Sequence, residues 1–154
     1  MNRVLEGKPH GKGRKIGIVA SKFNDFFTRR LLDACLNELS RCGVALDDIL
    51  VVWVPGSFEI PLAAVKLARK KNIHAVICLG AVIRGETSHF DLICREAARG
   101  IARASFVSGK PVIFGVLTTD TVEQADRRCE EQGDNKGKDA ACAALEMIDV
   151  LRRL

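Results

Sequence analysis

Short runs of β-branched and other apolar residues alternate along the chain with longer segments in which apolar residues recur every three or four positions. The short runs are typical of β-strands, and the longer segments are typical of helices that bury one face. Four of the runs are almost continuously apolar, which predicts strands covered on both faces, as in a parallel sheet. These predicted strands cover residues 16–20, 49–54, 75–79 and 112–117.

Helices are predicted between and after the strands from the spacing of their apolar residues. One apolar repeat covers residues 27–42 and another covers residues 93–104. A third helix is expected from residue 57 to about residue 72, because Pro61 then falls in its first turn, where a missing amide hydrogen costs little. The last two predicted helices cover residues 122–131 and 139–151, the latter with Ala140, Ala144, Met147 and Leu151 on its buried side.

Strands that alternate with helices predict an α/β fold, in which helices on both faces of a four-stranded parallel sheet form a three-layer sandwich. The 154 residues have the length of one domain, which we expect to span residues 16–154. Residues 1–15 are expected to form an N-terminal arm that either frays or adds residues 3–7 as a strand to a neighbouring subunit. In open sheets of this kind, ligands bind beyond the carboxyl ends of the strands.

The composition excludes several classes of protein. Apolar residues make up 47% and charged residues 28%, as in globular proteins, and no apolar stretch approaches the ~20 residues of a membrane span. The net charge is +5, and residues 1–15 contribute most of it. Because the rest of the chain is close to neutral, it lacks the broad basic surface that nucleic-acid binding needs. We therefore predict neither a nucleic-acid partner nor a membrane partner.

Six cysteines raise the question of disulfides or a zinc site. No two of them form a C-x-x-C pair, and each falls within an apolar stripe, where free cysteine packs as a small apolar side chain. We therefore expect reduced packing residues and no metal, in a cytoplasmic protein whose first residues lack the apolar region of a secretory signal. The six are Cys35, Cys42, Cys78, Cys94, Cys129 and Cys142.

The turn after the third predicted strand is a candidate phosphate site. It has glycines at positions 80 and 85 and hydroxyls at Thr87 and Ser88, and it leads into a helix. Backbone amides at a helix start favour an anion, although the turn has neither a P-loop nor a G-x-G-x-x-G motif. A capped turn without a ligand is the alternative.

His89 stands beside this candidate anion site. Histidine titrates near neutral pH, so His89 is a candidate for proton transfer, and the alternative is an ordinary surface residue. His10 in the arm and His74 before the third strand are expected to be exposed and to have no partner.

Two aromatic residues, Phe23 and Phe58, follow the first and second predicted strands. Apolar rings at strand-to-helix turns either stack on a planar ligand or pack onto the following helix as a hydrophobic staple. Glu59, at the start of the next helix, is explained either by a ligand or by the attraction between a carboxylate and a helix N-terminus. The residues alone leave both alternatives open.

Taken together, the turn segments resemble one family, 6,7-dimethyl-8-ribityllumazine synthase, the penultimate enzyme of riboflavin formation. The resemblance extends from about Glu6 to Met147 and depends on the order and spacing of the segments. The matching segments are KIGIVASKFN (15–24), VPGSFEIP (54–61), GAVIRGETSHFD (80–91), IFGVLTTDT (113–121), Arg128 and DNKGKDAACAALEM (134–147).

The resemblance implies a flavodoxin-like fold and a transferase activity. The implied reaction condenses 5-amino-6-(D-ribitylamino)uracil with 3,4-dihydroxy-2-butanone 4-phosphate, through an imine, loss of phosphate, ring closure and loss of water. Neither a metal nor an organic cofactor is implied.

The resemblance also implies roles for individual residues. His89 is the proton-transfer group, and Phe23 stacks on the pyrimidine. Phe114 is expected to reach the pocket from the adjacent subunit, and Lys136 is expected to be a secondary contact. The ribityl chain is assigned to Asn24, Ser57, Phe58 and Glu59, the lining of the heterocycle to Ala81, Val82 and Ile83, and the phosphate to Gly85, Glu86, Thr87 and Arg128.

Two positions depart from the family's pattern. Gln132 stands where a basic residue is frequent, and Leu92 stands where an aromatic residue is frequent, so the charge near the phosphate and the packing behind His89 are expected to differ. The segment between Arg128 and Asn135 has no insertion, as in members that build sixty-subunit shells. The resemblance leaves pentamers, decamers and such shells open, and it makes riboflavin synthase a candidate partner.

Two other functions remain as alternatives to the transferase. One is a module that binds a flavin or ribityl compound without turnover, and the other is a shell subunit whose pocket has lost its activity. The candidate phosphate turn together with His89 favours chemistry over binding alone, and the presence of Phe23, Glu59, His89 and Arg128 argues against a lost activity.

Overall fold

Four parallel strands alternate with helices over residues 2–154, the part of the chain that the computed structural model describes. Short 3-10 turns at Leu46–Asp48 and Ser57–Glu59 directly precede the second strand and the second long helix. In chain order, the elements are β1 (Ile16–Ser21), α1 (Asp25–Arg41), β2 (Ile49–Val54), α2 (Ile60–Ala68), β3 (Ala75–Ile83), α3 (His89–Ser108), β4 (Val112–Thr119), α4 (Val122–Arg127) and α5 (Lys136–Arg153).

The strand order in the sheet is β2-β1-β3-β4. Ile16 pairs with Ile49 of β2 on one side and with Ala75 of β3 on the other, and Ile77 pairs with Ile113 of β4. The predicted four-stranded parallel sheet is therefore confirmed, with β2 and β4 at its two edges.

Alternate residues of the central strands face two separate helical layers. Ile16, Ile18 and Ile77 are fully buried against α1 and α5, whereas Val19 and Val76 are fully buried against α2 and α3. Each such side chain contributes about 1.5–3 kcal/mol by its burial. The three-layer sandwich that the sequence predicts is confirmed.

The edge strands and strand ends differ from the predictions. Leu50 on β2 is 45% exposed and Phe114 on β4 is 44% exposed, so the prediction of burial on both faces is wrong for the two edge strands of one chain. Strand β3 continues through residues 80–83, and β4 continues through residues 118–119, although the sequence pattern predicts turns there. The reason is mutual pairing, since Ile83 lies opposite Thr119.

Three helices also differ in their bounds or their buried faces. Helix α2 ends at Ala68, α4 ends at Arg127 rather than residue 131, and α5 begins three residues early at Lys136. Met147 and Leu151 are 40% and 43% exposed rather than buried. Small residues cause this difference. Gly137 packs directly against the backbone carbonyl of Leu31 in α1, and this contact sets the face of α5 that is buried. That face then continues through Ala141, Leu145 and Ile148.

The arm has no regular secondary structure over residues 2–11, but part of it is attached to α5. The amide of Lys8 donates to the carboxylate of Asp149 over 3.1 Å, and Arg153 donates to the carbonyl of Glu6 over 2.8 Å. Residues 6–8 are thus not frayed. Val4, further towards the N-terminus, is 84% exposed.

The histidine and cysteine predictions have mixed outcomes. His10 is exposed, but His74 is partly buried and its Nδ1 accepts a hydrogen bond from the amide of Lys15 over 2.9 Å, so the expectation of an unpartnered His74 is wrong. All six cysteines are free, as predicted. Burial raises the pKa of the Cys35 thiol to about 12, which keeps it protonated.

Within residues 2–154, no helix has the length and hydrophobicity that a transmembrane helix requires.

Candidate active site

Two pockets contain most of the residues singled out in the sequence. The rim pocket is a cavity of about 600 Å³ at the carboxyl ends of β1, β2 and β3. The edge pocket is a cavity of about 350 Å³ along the edge strand β4. The rim pocket is lined by Phe23, Pro55, Gly56, Ser57, Phe58, Glu59, Ala81, Val82, Ile83, Gly85, Thr87, His89, Phe90 and Ile93. The edge pocket is lined by Ile113, Phe114, Gly115, Val116, Leu117, Thr118, Arg128, Lys136, Asp139, Ala140 and Ala143.

The two pockets have no lining residue in common. Ten of the fifteen residues assigned from the sequence line the rim pocket, whereas Phe114, Arg128 and Lys136 line the edge pocket. Asn24 lines neither pocket, and nor does Glu86, which is exposed in the turn before α3. One chain by itself therefore does not bring Arg128 to the lining of the pocket that contains Thr87 and His89.

Four residues of the rim pocket were missed in the sequence assignment. Pro55 and Gly56 stand in the same turn as Ser57, and their position directly after β2 is the signal that could have found them. Phe90 and Ile93 are on the first turns of α3. Their apolar character made them core candidates, and Phe90 is indeed only 9% exposed while it also lines the pocket.

Exposed aromatic rings form part of the wall of the rim pocket. Phe23 is 72% exposed and Phe58 is 59% exposed, although both are large apolar side chains. Rings this accessible are not packed onto the following helices, so the structure does not support the hydrophobic-staple alternative. Their solvent-facing surfaces are available to stack on a flat ligand.

The backbone on either side of Phe23 is held by neighbouring elements. The amide of Phe23 donates to the carbonyl of Pro55 over 3.0 Å, which places the turn after β1 beside the turn after β2. Asn24 adopts the left-handed conformation with φ of 61°, and its side-chain amide donates to the carbonyl of Ala81 over 2.9 Å. Asn24 thereby joins the end of β1 to the end of β3, and this contact occupies a donor that the family resemblance assigns to the ribityl chain.

Two serine hydroxyls crowd the backbone of Gly80 near the floor of the rim pocket. A Cβ atom on Gly80 would lie 2.5 Å from Oγ of Ser21 and 2.9 Å from Oγ of Ser57, so a larger residue at this position would force the serine side chains to shift. Ser21 is fully buried, and its Oγ is the one buried side-chain polar atom without a hydrogen-bond partner in the described part of the chain. The absence of a Cβ at Gly80 thus lets Ser57 approach β3.

Glu59 gives the rim pocket a carboxylate. It is exposed, and a Cβ on Gly56 would lie 3.0 Å from its Oε2, so the carboxylate lies over the backbone of the turn after β2. It forms no ion pair with the described residues. A free carboxylate can accept hydrogen bonds from the hydroxyls of a polyol.

The turn before α3 is open to solvent. Residues 84–88 are all exposed, and Ser88, at the helix N-cap, makes no side-chain capping bond. The amide of His89 is 3.4 Å from Oγ1 of Thr87, and the imidazole of His89 is exposed at the pocket lining. Uncapped amides at the start of a twenty-residue helix attract an anion. His89, the candidate for proton transfer, therefore lies next to the candidate phosphate site.

The edge pocket provides a free positive charge. Arg128 donates to the backbone carbonyl of Gln124 over 2.9 Å and forms no ion pair with a carboxylate of residues 2–154. Lys136 instead lies between two carboxylates, those of Asp134 at 3.1 Å and Asp139 at 3.3 Å, which raise its pKa. Arg128 is thus the better candidate for an added anion.

The two departures from the family's pattern lie outside both pockets. Leu92 is 53% exposed on the outer side of α3, and Gln132 is exposed in the loop between α4 and α5. Neither side chain lines the rim pocket or the edge pocket of this chain.

Comparison with known proteins identifies the chain's relatives. The family model of 6,7-dimethyl-8-ribityllumazine synthase matches residues 13–152. A protein of Syntrophus aciditrophicus (strain SB) named 6,7-dimethyl-8-ribityllumazine synthase is 53% identical over 154 residues, which is the full length of both chains. Both findings confirm the resemblance carried by the turn segments. The chain therefore belongs to the 6,7-dimethyl-8-ribityllumazine synthase family.

Proposed function

We propose that this transferase of riboflavin biosynthesis condenses 5-amino-6-(D-ribitylamino)uracil with 3,4-dihydroxy-2-butanone 4-phosphate in a site completed by a second copy of the chain. The observation that carries the proposal is the rim pocket itself. It combines exposed aromatic rings, a free carboxylate, an open helix N-terminus and an imidazole.

The pyrimidine ring stacks on Phe23 and lies against the end of β3, where Ala81, Val82 and Ile83 supply an apolar lining. The ribityl hydroxyls bind the segment from Ser57 to Glu59, whose carboxylate accepts hydrogen bonds from the polyol. Asn24 supports this arrangement through its bond to Ala81, and its amide oxygen remains available to a ribityl hydroxyl.

The phosphate of the ketone binds the backbone amides and hydroxyl of Gly85, Glu86 and Thr87. The guanidinium of Arg128 from a neighbouring copy provides the balancing charge, together with Phe114 at the wall and Lys136 at a secondary distance. The use of a neighbouring copy is supported by the separation of the two pockets, because Arg128 and the phosphate turn line different pockets of the same chain.

His89 moves protons in the reaction. The amine of the pyrimidine attacks the ketone carbonyl, and loss of water gives an imine. Elimination then breaks the bond between carbon and phosphate oxygen, and attack of the second nitrogen closes the ring with loss of water. Each step transfers a proton, which suits an exposed imidazole at the pocket lining. Orientation of the two substrates supplies much of the acceleration, so His89 accelerates the reaction without being indispensable.

Self-association is the structural requirement of this proposal. When one copy offers its rim pocket and another offers its edge pocket, the contact is heterologous, and such contacts form a ring when the rotation between copies closes. We propose pentamers as the basic ring, with decamers or sixty-subunit shells as the higher assemblies. We also propose that residues 16–154 form one catalytic domain and that residues 1–15 form an arm whose residues 3–7 add a strand to a neighbour. Riboflavin synthase remains a candidate partner.

A turnover assay on protein of known sedimentation tests the proposal. Wild-type protein with both substrates should release phosphate and form a product that absorbs near the pteridine band. His89→Ala should slow the reaction, and Arg128→Ala should raise KM for the phosphorylated ketone. Tight binding of the ribityl substrate with no product at any enzyme concentration would instead identify a binding module and overturn the transferase.

A further inference from the structure

Arg84 is the first residue after β3 and precedes the turn that carries Gly85 to Thr87 and leads to His89. We propose that Arg84 is a positioning residue that holds the phosphate turn and His89 in place without contacting the phosphate. This inference rests on the proposed function of the same site and adds to it a residue that does not line the rim pocket.

The guanidinium of Arg84 joins two elements on either side of the turn. Its Nε donates to Oδ1 of Asp120, after β4, over 2.8 Å, and its Nη2 lies 3.3 Å from Oδ1 of Asp91 in the first turn of α3. Its Nη1 is 3.4 Å from the other carboxylate oxygen of Asp91. The backbone amide of Arg84 also donates to the carbonyl of Thr119 over 2.9 Å. One side chain thus links the ends of β3 and β4 to the start of α3.

Arg84 also supports a wall of the rim pocket. Its guanidinium carbon lies 4.4 Å from the centroid of the Phe90 ring, and Phe90 is a buried residue that lines the pocket. A cation over an aromatic face is attracted to it. Phe90 and Asp91 directly follow His89 in α3. Because the Arg84 guanidinium contacts both of them, it also restrains the position of His89.

The turn between these contacts has little support of its own. A Cβ atom on Gly85 would meet nothing within 4 Å, and the residues from Gly85 to His89 are all exposed. The Ser88 side chain does not cap the helix. Apart from the long bond of 3.4 Å from the His89 amide to Oγ1 of Thr87, the position of the turn depends on its two ends, which Arg84 and Asp91 join.

The two carboxylates also argue against Arg84 as a phosphate ligand. Asp91 and Asp120 neutralise its charge and take up its Nε and Nη1 donors, so a phosphate at Arg84 would meet two competing carboxylates. Arg128 forms no such ion pair within the described residues, and it is the guanidinium with charge to offer. Arg84 thus contributes by positioning the phosphate turn and His89. Such positioning matters because small displacements of a reacting group lower the rate of catalysis steeply.

The test measures both KM values, kcat and thermal stability for Arg84→Gln, Arg84→Lys and Asp120→Asn. Arg84→Gln should raise KM for the phosphorylated ketone and lower kcat, with a combined loss of about tenfold or more in kcat/KM, while KM for the pyrimidine stays within about twofold. Arg84→Lys should recover part of the loss, because an ammonium can reach one carboxylate but lacks the planar fork that spans both. Asp120→Asn should act in the same direction, and its effect should not add to that of Arg84→Gln.

Arg99→Gln is the matched control, since Arg99 lies on the exposed side of α3 and pairs only with Glu96 within residues 2–154. It should leave every kinetic constant unchanged. If Asp120→Asn lowers KM for the phosphorylated ketone, a freed Arg84 binds the phosphate and the inference is overturned. It is also overturned if Arg84→Gln lowers the melting temperature but leaves kcat and both KM values unchanged.

A second measurement separates this inference from the proposed function. The amides of Asp91 and Leu92 donate to the carbonyl of Ser88 over 3.1 Å and 3.4 Å. Their hydrogen exchange should be faster in Arg84→Gln than in wild type and unchanged in Arg99→Gln, whether or not the protein turns over. Unchanged exchange in Arg84→Gln overturns the inference, whereas the absence of product from wild-type protein overturns only the proposed function.

Discussion

The side-chain amide of Asn24 donates a hydrogen bond to the backbone carbonyl oxygen of Ala81 over 2.9 Å. Within residues 2–154, Asn24 is also the one non-glycine residue with positive φ, at 61°. Asparagine tolerates the left-handed region better than most residues, because its short side chain forms local hydrogen bonds. Asn24 therefore sets the direction in which the chain leaves β1, and with it the position of the exposed ring of Phe23.

Replacement of Asn24 separates the backbone conformation from the hydrogen bond. Asn24→Gly keeps a residue suited to positive φ and loses only the bond to Ala81, which should cost about 1 kcal/mol. Asn24→Ala loses the bond and also strains the backbone, which should cost about 2 kcal/mol or more. Urea unfolding gives both values. Equal stability of the two variants would show that the left-handed conformation places no demand on this position.

Two glycines near the rim pocket should respond differently to a methyl group. Gly80→Ala places a Cβ 2.5 Å from the buried Oγ of Ser21, and such overpacking should cost about 1–3 kcal/mol. Gly85→Ala places its Cβ in open space, and the free energy of unfolding should change by no more than about 0.5 kcal/mol. Thermal unfolding of the pair compares them under one condition, and a Gly80 variant as stable as wild type would contradict the close approach of Ser21.

The centre of the fold follows directly from the apolar pattern, whereas the strand ends do not. Ile18 and Ile77 are buried on the central strands. There, an unbroken apolar run predicts a strand that helices cover on both faces. The ends of β3 and β4 depend on each other, since Ile83 is in the strand because Thr119 pairs with it. A single segment carries no signal for such pairing, and glycine at position 80 resembles a turn although it serves a close approach to Ser21 and Ser57.

The candidate site is predictable in parts for a similar reason. Turns at the carboxyl ends of parallel strands meet at one rim, which is why the sequence pattern alone groups Phe23, Glu59 and His89. Arg128 follows α4 and lines the pocket beside the edge strand, so under the proposed function its distance from the candidate phosphate turn depends on how copies pack. The spacing of residues in one chain does not contain that information.

Acid should weaken the contact between α1 and α5 through Glu38. This carboxylate is 5% exposed, accepts hydrogen bonds from Arg41, and accepts one from the Cys142 thiol of α5 over 3.2 Å. The hydrogen bonds from Arg41 lower the pKa of Glu38 from 4.5 to about 2, against the opposing effect of burial. A lowered folded-state pKa means that the ionised carboxylate stabilises the fold above pH 4.5, and that this contribution is lost as pH falls through about 2.

Glu38→Gln should therefore remove part of the acid dependence of stability. The variant should lose about 1–3 kcal/mol at neutral pH and show a flatter decline of unfolding free energy between pH 4.5 and about 2. Asp33→Asn, on an exposed residue of the same helix, is the matched control and should follow the wild-type curve. Parallel pH profiles for wild type and Glu38→Gln would contradict the role of this carboxylate.

Mixed assemblies test whether neighbouring copies share the site. A rim variant, Phe23→Ser with His89→Ala, keeps a normal edge pocket, and an edge variant, Phe114→Ser with Arg128→Ala, keeps a normal rim pocket. Each variant alone should have little activity. Co-refolding of equal amounts should restore about one quarter of wild-type turnover, because a random heterologous contact joins two intact halves once in about four cases.

The control is co-refolding of two single variants, Phe23→Ser and His89→Ala, as separate chains. Mixing them should give no gain over the mean activity of the two, since every rim pocket is then damaged. If the rim and edge variants also fail to complement although sedimentation shows that they assemble together, each chain uses its own Arg128, and the shared pocket is wrong.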